Sequence, residues 1–482
     1  MHVRIILKTL GTLLFIEVAM LVICAFISLG YGEHDLNAFL TTAGIAFVLG
    51  SLLYPAGADY EKVLTRRDGY VIVSIAWVVL SAIGMLPFIF SGYVTNPASA
   101  FFETVSGFTT TGATVLTNID QLPHGLLFWR SLTNWVGGLG IIFFTIAILP
   151  IFGMGGVQLF AAESMGPSQG KLHPRISVAT KEIILLYFFI TVLQTILLSL
   201  GSMPIFDSIC HSMSTLSTGG FSTRQGNIGS YHSRYIEYVT IVFMLLGGTN
   251  FSLLIFVCRK KWRKLLFDSE FKWFIGALAV FTAIVAVSLI AKDSSHIEDS
   301  LRKALFQVTS TLTSTGFTSA NYRLWPSLTW GIMILAMISG ACSGSTSGGI
   351  KCIRLNVIYK VFRNEIMQIL HPNAVLSVRI NNQVIPQQVK TGILTFTLLY
   401  AGVAMLGTLV LMGMNIGITE SISMVISSMG NDGPAFGATG VNGSWSYLPD
   451  AAKWVCSFLM LVGRLEIFPI LLMFAPQFWK NK

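Results

Sequence analysis

Charge is what this chain has little of. Of its 482 residues only 11% are Asp, Glu, Lys or Arg, less than half the ~25% of ordinary soluble domains. Hydrophobic residues make up 53%. A soluble chain of this length would form roughly three domains, but apolar runs near 20 residues recur from end to end, so membrane spans replace that count. Metal and redox signatures are also missing. The cysteines, Cys24, Cys210, Cys258, Cys342, Cys352 and Cys456, are scattered, with no C-x-x-C pair and no His at ligand spacing; they read as small buried fillers. There is no H-E-x-x-H, no G-x-S-x-G with suitable partners, no pair of intramembrane aspartates and no P-loop, so the chain is not expected to be an enzyme. Its net charge of +9 sits in short segments between apolar runs. That distribution is a topology signal, not the footprint of a nucleic-acid binder.

Candidate spans lie near residues 9–30, 37–55, 69–91, 125–150, 179–201, 235–258, 272–291, 327–350, 391–413 and 452–475. The first, after MHVRIILK, mimics a signal peptide, but it runs on through Glu17 without a small-residue cleavage site and reads as a retained span. Shorter segments of about ten residues precede positions 109, 217, 313 and 430. They are too short for a ~30 Å hydrocarbon core and are expected to be re-entrant. Lys and Arg concentrate at Arg4 and Lys8, at 61–68, at 170–175, at 258–264 and from Lys351 to Lys390. The positive-inside rule puts those segments and both termini in the cytoplasm, and the short segments dip in from outside.

After two spans, the order span, dip, span occurs four times, a repeat of about 100 residues. Setting Gly112, Gly220, Gly316 and Gly433 in register aligns Ser106, Ser214, Ser310 and Ser427 six residues earlier, and Ala100, Ser208, Ala304 and Ser421 six before those. The expected fold is an all-α polytopic membrane protein with four tandem helix, re-entrant loop, helix repeats and two extra N-terminal transmembrane helices. The divisions are 1–60 for the two extra helices, 61–157 and 158–263 for repeats one and two, 264–365 for repeat three with an intramembrane loop, and 366–482 for repeat four.

Each dip ends in a glycine turn: TTTGAT (109–114), STGGFS (217–222), TSTGFT (313–318) and GNDGPA (430–435). Irregular backbone at membrane depth is tolerated where protein buries it or where it lines a wet cavity. Four such turns around one axis would make a ring of carbonyls able to replace the hydration shell of a cation. Glycine allows the positive φ that aims successive carbonyls one way, neighbouring hydroxyls can hold the turn, and each dip helix points its negative C-terminal end at the axis. The carbonyl donors are assigned to Thr110, Thr111 and Gly112; Thr218, Gly219 and Gly220; Ser314, Thr315 and Gly316; and Asn431, Asp432 and Gly433. Plain Gly/Thr-rich connecting loops are the alternative, weakened by the fourfold register.

Some positions depart from the repeat. Glu103, His211, Gln307 and Met424 share one register; Glu103 is expected to satisfy a backbone amide behind its turn, and His211 to be a hydrogen-bonded structural residue. The run GACSGSTSGGIK (340–351) interrupts a span, each internal Gly costing about 1 kcal/mol relative to Ala in a helix. We read it as a mid-membrane gate carried by Gly340, Ser343, Gly344, Ser345, Thr346, Ser347, Gly348, Gly349 and Lys351, against the alternative of a small-residue packing face. Arg464, in GRLE (463–466), is costly within a membrane. Its candidate partners are Glu466, Glu103 or carbonyls near the conduction path, and a purely structural ion pair is an equal alternative. Glu17 has no assigned role.

Together SGFTTTGAT, LSTGGFST, TSTGFTS, NDGPAFG, the glycine-rich loop and GRLE resemble the Trk/Ktr/HKT superfamily of cation uptake proteins; MHVRI, LPFIFS (86–91), ILPIFGMGG (148–156) and HPNAV (371–375) are similar to its bacterial TrkH branch. The resemblance covers essentially the whole chain. It implies a K+ channel-like, pseudo-fourfold fold and K+ as the transported ion, with four filter glycines as in K+-selective members. It also implies a homodimer with one pore per protomer in the inner membrane, and a cytosolic TrkA-like ring through which nucleotide acts, docking near 158–176, 259–272 and 352–390. Asn431 and Asp432 depart from the more common neutral pair of the family. A K+ symporter coupled to H+ or Na+ is the other reading; parallel repeats with no acid in register argue against it.

Overall fold

The computed structural model describes residues 2–57, 65–143, 172–292, 296–374, 376–437, 440 and 443–480. The chain opens with α1 (Val3–Tyr31), a single 29-residue helix that carries Glu17 in its middle, followed by α2 (Leu36–Leu53). These two pack on each other, and α1 also packs on α3 (Arg66–Gly84) and α6 (His124–Phe143). A reciprocal capping box between Thr65 and Asp68 fixes the start of α3.

Between α3 and α6 come α4 (Leu86–Phe90) and α5 (Pro97–Phe108). The second quarter holds α7 (Leu172–Leu200), α8 (Ile205–Leu216), α9 (Arg234–Gly248), α10 (Phe251–Cys258) and α11 (Arg263–Phe267). The third holds α12 (Ser269–Lys292), α13 (Ile297–Leu312), α14 (Ser327–Ile338) and α15 (Cys352–Leu370). A two-stranded antiparallel hairpin, β1 (Arg379–Ile380) with β2 (Gln383–Val384), leads into the last quarter. There α16 (Gln387–Gly413), α17 (Ile418–Gly430), α18 (Asp450–Arg464), α19 (Phe468–Phe474) and α20 (Pro476–Trp479) complete the chain.

The four dips are α5, α8, α13 and α17, of 12, 12, 16 and 13 residues. At about 1.5 Å per residue they reach roughly 18–24 Å, short of a ~30 Å core. Asn96 caps α5 by accepting from the Ser99 amide at 3.1 Å, with Pro97 in the first turn.

Among the described residues six helices are long and apolar enough to cross a membrane, and eight if two bent pairs each count as one span. Sequence reading gave ten runs and broke one of them, in the third quarter. Among the described residues the structure breaks three. Besides the loop between α14 and α15, α9 turns through 108° into α10, and α18 through 118° into α19. At the first bend Gly247 and Gly248 end α9, and Asn250 starts α10 by accepting from the Ser252 amide at 2.8 Å. At the second, Glu466 and Ile467 both have positive φ, 57° and 64°, which no α-helix can contain. The far end of the run 125–150, the segment ILPIFGMGG, most of the basic stretch 158–176 and the first half of the stretch 61–68 lie outside the described residues.

The largest apolar core joins the two ends of the chain. Phe102, Phe108 and Trp129 of the first quarter and Met424, Val425 and Trp445 of the last are all fully buried in it. Burying side chains of this size is worth about 1.5–3 kcal/mol each, and it brings together the first and fourth turns.

Candidate functional site

All four dip helices end in one way. An amide donates to the carbonyl five residues back: Thr111 to Ser106 (2.8 Å), Gly219 to Ser214 (2.8 Å), Thr315 to Ser310 (2.8 Å) and Asp432 to Ser427 (3.0 Å). This 6→1 closure satisfies a carbonyl that the helix end would leave orphaned. The residue before each donor is left-handed: φ is 54° at Thr110, 53° at Thr218, 51° at Ser314 and 54° at Asn431. The glycine after each donor is positive too, 80° at Gly112, 69° at Gly220, 79° at Gly316 and 90° at Gly433. Left-handed backbone on either side of an ordinary residue turns successive carbonyls to one side of the chain. The register serines serve this turn through their backbone. The hydroxyls of Ser106, Ser214 and Ser427 have no partner among the described residues, while Ser310 Oγ donates to Phe317 O at 2.7 Å.

The four turns close into a ring. A Cβ on Gly112 would stand 2.3 Å from Gly219 O, one on Gly220 2.1 Å from Thr315 O, one on Gly316 2.0 Å from Asp432 O, and one on Gly433 2.4 Å from Thr111 O. Each glycine therefore abuts the carbonyl of the next turn in strict cyclic order, and a side chain there would displace backbone. All four glycines also line a cavity of about 60 Å³ on one side of the ring, large enough to hold water. Side chains knit the turns from behind: Thr109 Oγ1 meets Thr111 Oγ1 at 2.8 Å, Thr313 Oγ1 meets Thr315 Oγ1 at 2.7 Å, and Asn431 Nδ2 donates to Thr111 Oγ1 and to Met460 O, both at 3.0 Å. The Asp432 carboxylate is fully buried, is not among the residues lining the cavity, and has no hydrogen-bond partner among the described residues.

Glu103 lies behind the first turn, as expected. It accepts from the Val115 amide (2.9 Å), from Thr114 Oγ1 (2.9 Å) and from Arg130 Nε (2.9 Å). His211 is structural too, bonded to Asp207 O at 2.8 Å and Ser222 Oγ at 3.0 Å.

The stretch between α14 and α15 is an irregular, mostly buried loop under the ring. Ser314, a member of the third turn, holds it directly: its Oγ donates to Ser347 Oγ at 3.0 Å and accepts from the Gly348 amide at 2.6 Å. Thr346 Oγ1 donates to Leu216 O, at the end of α8, and shares itself with Gly247 O. A Cβ on Gly348 would meet Gly430 O, at the end of α17, at 2.1 Å. The loop's outer part is bonded to the α9–α10 bend, with the Cys342 amide donating to Gly248 O (3.0 Å) and the Phe251 amide to Gly344 O (3.1 Å). Ser345 Oγ donates to Cys342 O. Gly344 and Gly349 have positive φ, 71° and 67°, Gly340 backs onto Gly348 O, and Lys351 Nζ donates to the carbonyls of Ser347 and Gly348.

Arg464 completes the arrangement. Of its candidate partners the structure selects carbonyls: Nη1 donates to Thr346 O at 2.7 Å and Nη2 to Gly137 O at 3.2 Å. Glu466 pairs instead with Arg354 at 2.5 Å, and Glu103 with Arg130. The guanidinium thus bridges the loop to α6. Three residues here escaped sequence reading. Arg130 had no visible partner in the linear order. Asn250, which donates to Ser343 O, followed a Gly-Gly-Thr breaker signal inside an apolar run. Glu270, which accepts from the Ser343 amide, sat at the edge of a span.

Comparison with known proteins agrees with this geometry. The family model described as TrkH, cation transport protein, matches residues 36–481. The Trk system potassium uptake protein TrkH of Salmonella typhimurium is 35% identical over 488 residues, covering all of both chains. TrkG of Escherichia coli K12 is 33% identical, covering 100% of this chain and 99% of that protein. The crystal structure of the potassium transporter TrkH from Vibrio parahaemolyticus superimposes with a TM-score of 0.92 at 32% identity, over the full length of both chains. Four closed turns, the broken spans and these full-length matches place the chain in the TrkH family of cation transport proteins.

Proposed function

We propose that the chain is a K+ uptake pore of the bacterial inner membrane, with K+ coordinated by the carbonyls of Thr110, Thr111, Gly112, Thr218, Gly219, Gly220, Ser314, Thr315, Gly316, Asn431, Asp432 and Gly433. The cyclic abutment of each filter glycine on the next turn's carbonyl carries this reading, because a closed carbonyl ring replaces a hydration shell from all sides at once. K+ moves down its electrochemical gradient, which supplies about 2.3 kcal/mol per charge per 100 mV. No hydrolysis by this chain is needed.

The loop from Gly340 to Lys351 is the gate, held across the pathway by Ser314, Thr346 and Arg464. Both termini are cytoplasmic, the protein is a homodimer with one pore per protomer, and a cytosolic nucleotide-binding ring of the TrkA class sets the gate. The basic, exposed run 259–264 supports that docking side. The other reading, K+ coupled to H+ or Na+, draws support from one feature, the buried unpartnered carboxylate of Asp432. Planar-bilayer recording separates the two: unitary currents fit the pore, and fixed-stoichiometry turnover without them fits the symporter. Filter assignment is tested by reversal potentials in mixed K+ and Na+; Gly112→Ser is expected to reduce the K+ preference, and unchanged selectivity would show that the filter lies elsewhere.

A further inference from the structure

One carboxylate oxygen holds both limbs of the loop. Glu270, in the first turn of α12, accepts at Oε1 from the Ser343 amide at 2.6 Å, near the loop's start, and from the Ile353 amide at 3.2 Å, just past its end. Glu270 is 1% exposed, and its Oε2 has no partner among the described residues. The two amides it joins are ten positions apart in sequence and would otherwise be buried donors, costly if left unmade.

The residues just before Glu270 are gripped by the hairpin. Asn381, at the hairpin tip, donates from Nδ2 to Asp268 Oδ2 at 2.8 Å and accepts at Oδ1 from the Ser269 amide at 2.9 Å. Behind it the hairpin is fused to the helix that follows the loop: Lys360 Nζ donates to Arg379 O at 2.7 Å, and Ile353, Val357, Val378, Ile380 and Ile385 form a small closed core. Hairpin, start of α12 and start of α15 are thus one packed unit that ends on the two amides of the loop.

We propose that Glu270 is the latch of the loop and that the hairpin at 379–384 is its handle, the element that holds the latch in position through Asn381. This rests on the reading of 340–351 as the gate. Moving the hairpin away through Asn381 shifts Asp268 and Ser269, withdraws Glu270 Oε1 from both amides at once, and frees the loop. Glu270 positions the loop and does not touch the ion.

The test measures passive 86Rb+ flux into liposomes holding the full-length purified protein without any partner. Glu270→Ala and the volume-keeping Glu270→Met are expected to raise basal flux at least severalfold and to speed deuterium exchange in peptides covering 340–353. Glu270→Gln keeps a carbonyl acceptor and should stay near wild type in both readouts. Asn381→Ala should raise flux less, and the Glu270→Met/Asn381→Ala double variant should match Glu270→Met alone, because both act on one element. The latch is overturned if Glu270→Met is monodisperse with wild-type flux and exchange, and the handle if the double variant's effects multiply. A partial deletion within 342–349 distinguishes the premise: if it leaves flux unchanged the gate reading fails, whereas if it opens the pore and Glu270→Met does not, only the latch fails.

Discussion

Gly433 and Thr111 stand 322 positions apart in sequence, yet a Cβ on Gly433 would lie 2.4 Å from the carbonyl oxygen of Thr111. That contact closes the ring, because the other three junctions each join a turn to the one following it in the chain. Gly433→Ala is therefore expected to distort the fourth junction at both ends, through the close approach and through the φ of 90°. K+ uptake in a strain dependent on this protein should fall at least tenfold, while membrane expression and detergent monodispersity stay near wild type.

The pair behind the first turn should behave as a buried ion pair. Glu103 and Arg130 are 1% and 2% exposed. Replacing either one with Gln strands the other charge, a loss of about 3–5 kcal/mol. Thermal unfolding in detergent should show both single variants strongly destabilised, and the Glu103→Gln/Arg130→Gln double variant less so than the sum of the two.

Arg464 places a fixed positive charge under the ring and ties Thr346 to Gly137. Arg464→Ala is expected to raise K+ flux in the absence of any partner by several-fold. Arg464→Lys, a point charge that cannot span two carbonyls with a rigid fork, should fall between the two. A flux assay in liposomes reads both, and equal flux in all three proteins would remove Arg464 from the gate.

Asp432 sets a carboxylate beside one quarter of an otherwise neutral ring. The group is buried without a hydrogen-bond partner among the described residues and is costly to ionise there, so Asp432→Asn tests its charge: if it is ionised beside the ion, its anionic field favours the smaller cation and the substitution raises the K+ over Na+ permeability ratio. A change of about 1 kcal/mol corresponds to roughly fivefold, well within the resolution of reversal-potential measurements. No change would make Asp432 a structural group only.

Much of this was legible in the linear order. The Gly112, Gly220, Gly316 and Gly433 register, the short dips and the loop at 340–351 all follow from local rules: length against membrane thickness, glycine as a breaker, and repetition. Bends were harder. Thr249–Asn250 and Glu466–Ile467 sit inside runs that hydropathy reads as continuous, because hydropathy averages over side chains and does not register a change in backbone direction. The register serines were aligned without an assigned chemistry, and the structure supplies one, since their carbonyls accept the amides that close the turns.

Partner choice was not legible at all. Arg464 had three chemically acceptable partners, and Glu270 carried no sign that one oxygen would take two amides of a loop more than seventy positions away. Sequence by itself determined the membrane class, the four repeats and the positions where the backbone must leave the helix, because each of these depends on residues within one span. Only the tertiary structure decided which turn abuts which, which carbonyls receive Arg464, and what holds the loop. Those outcomes depend on packing between quarters of the chain, where several pairings satisfy the same local chemistry and geometry selects one.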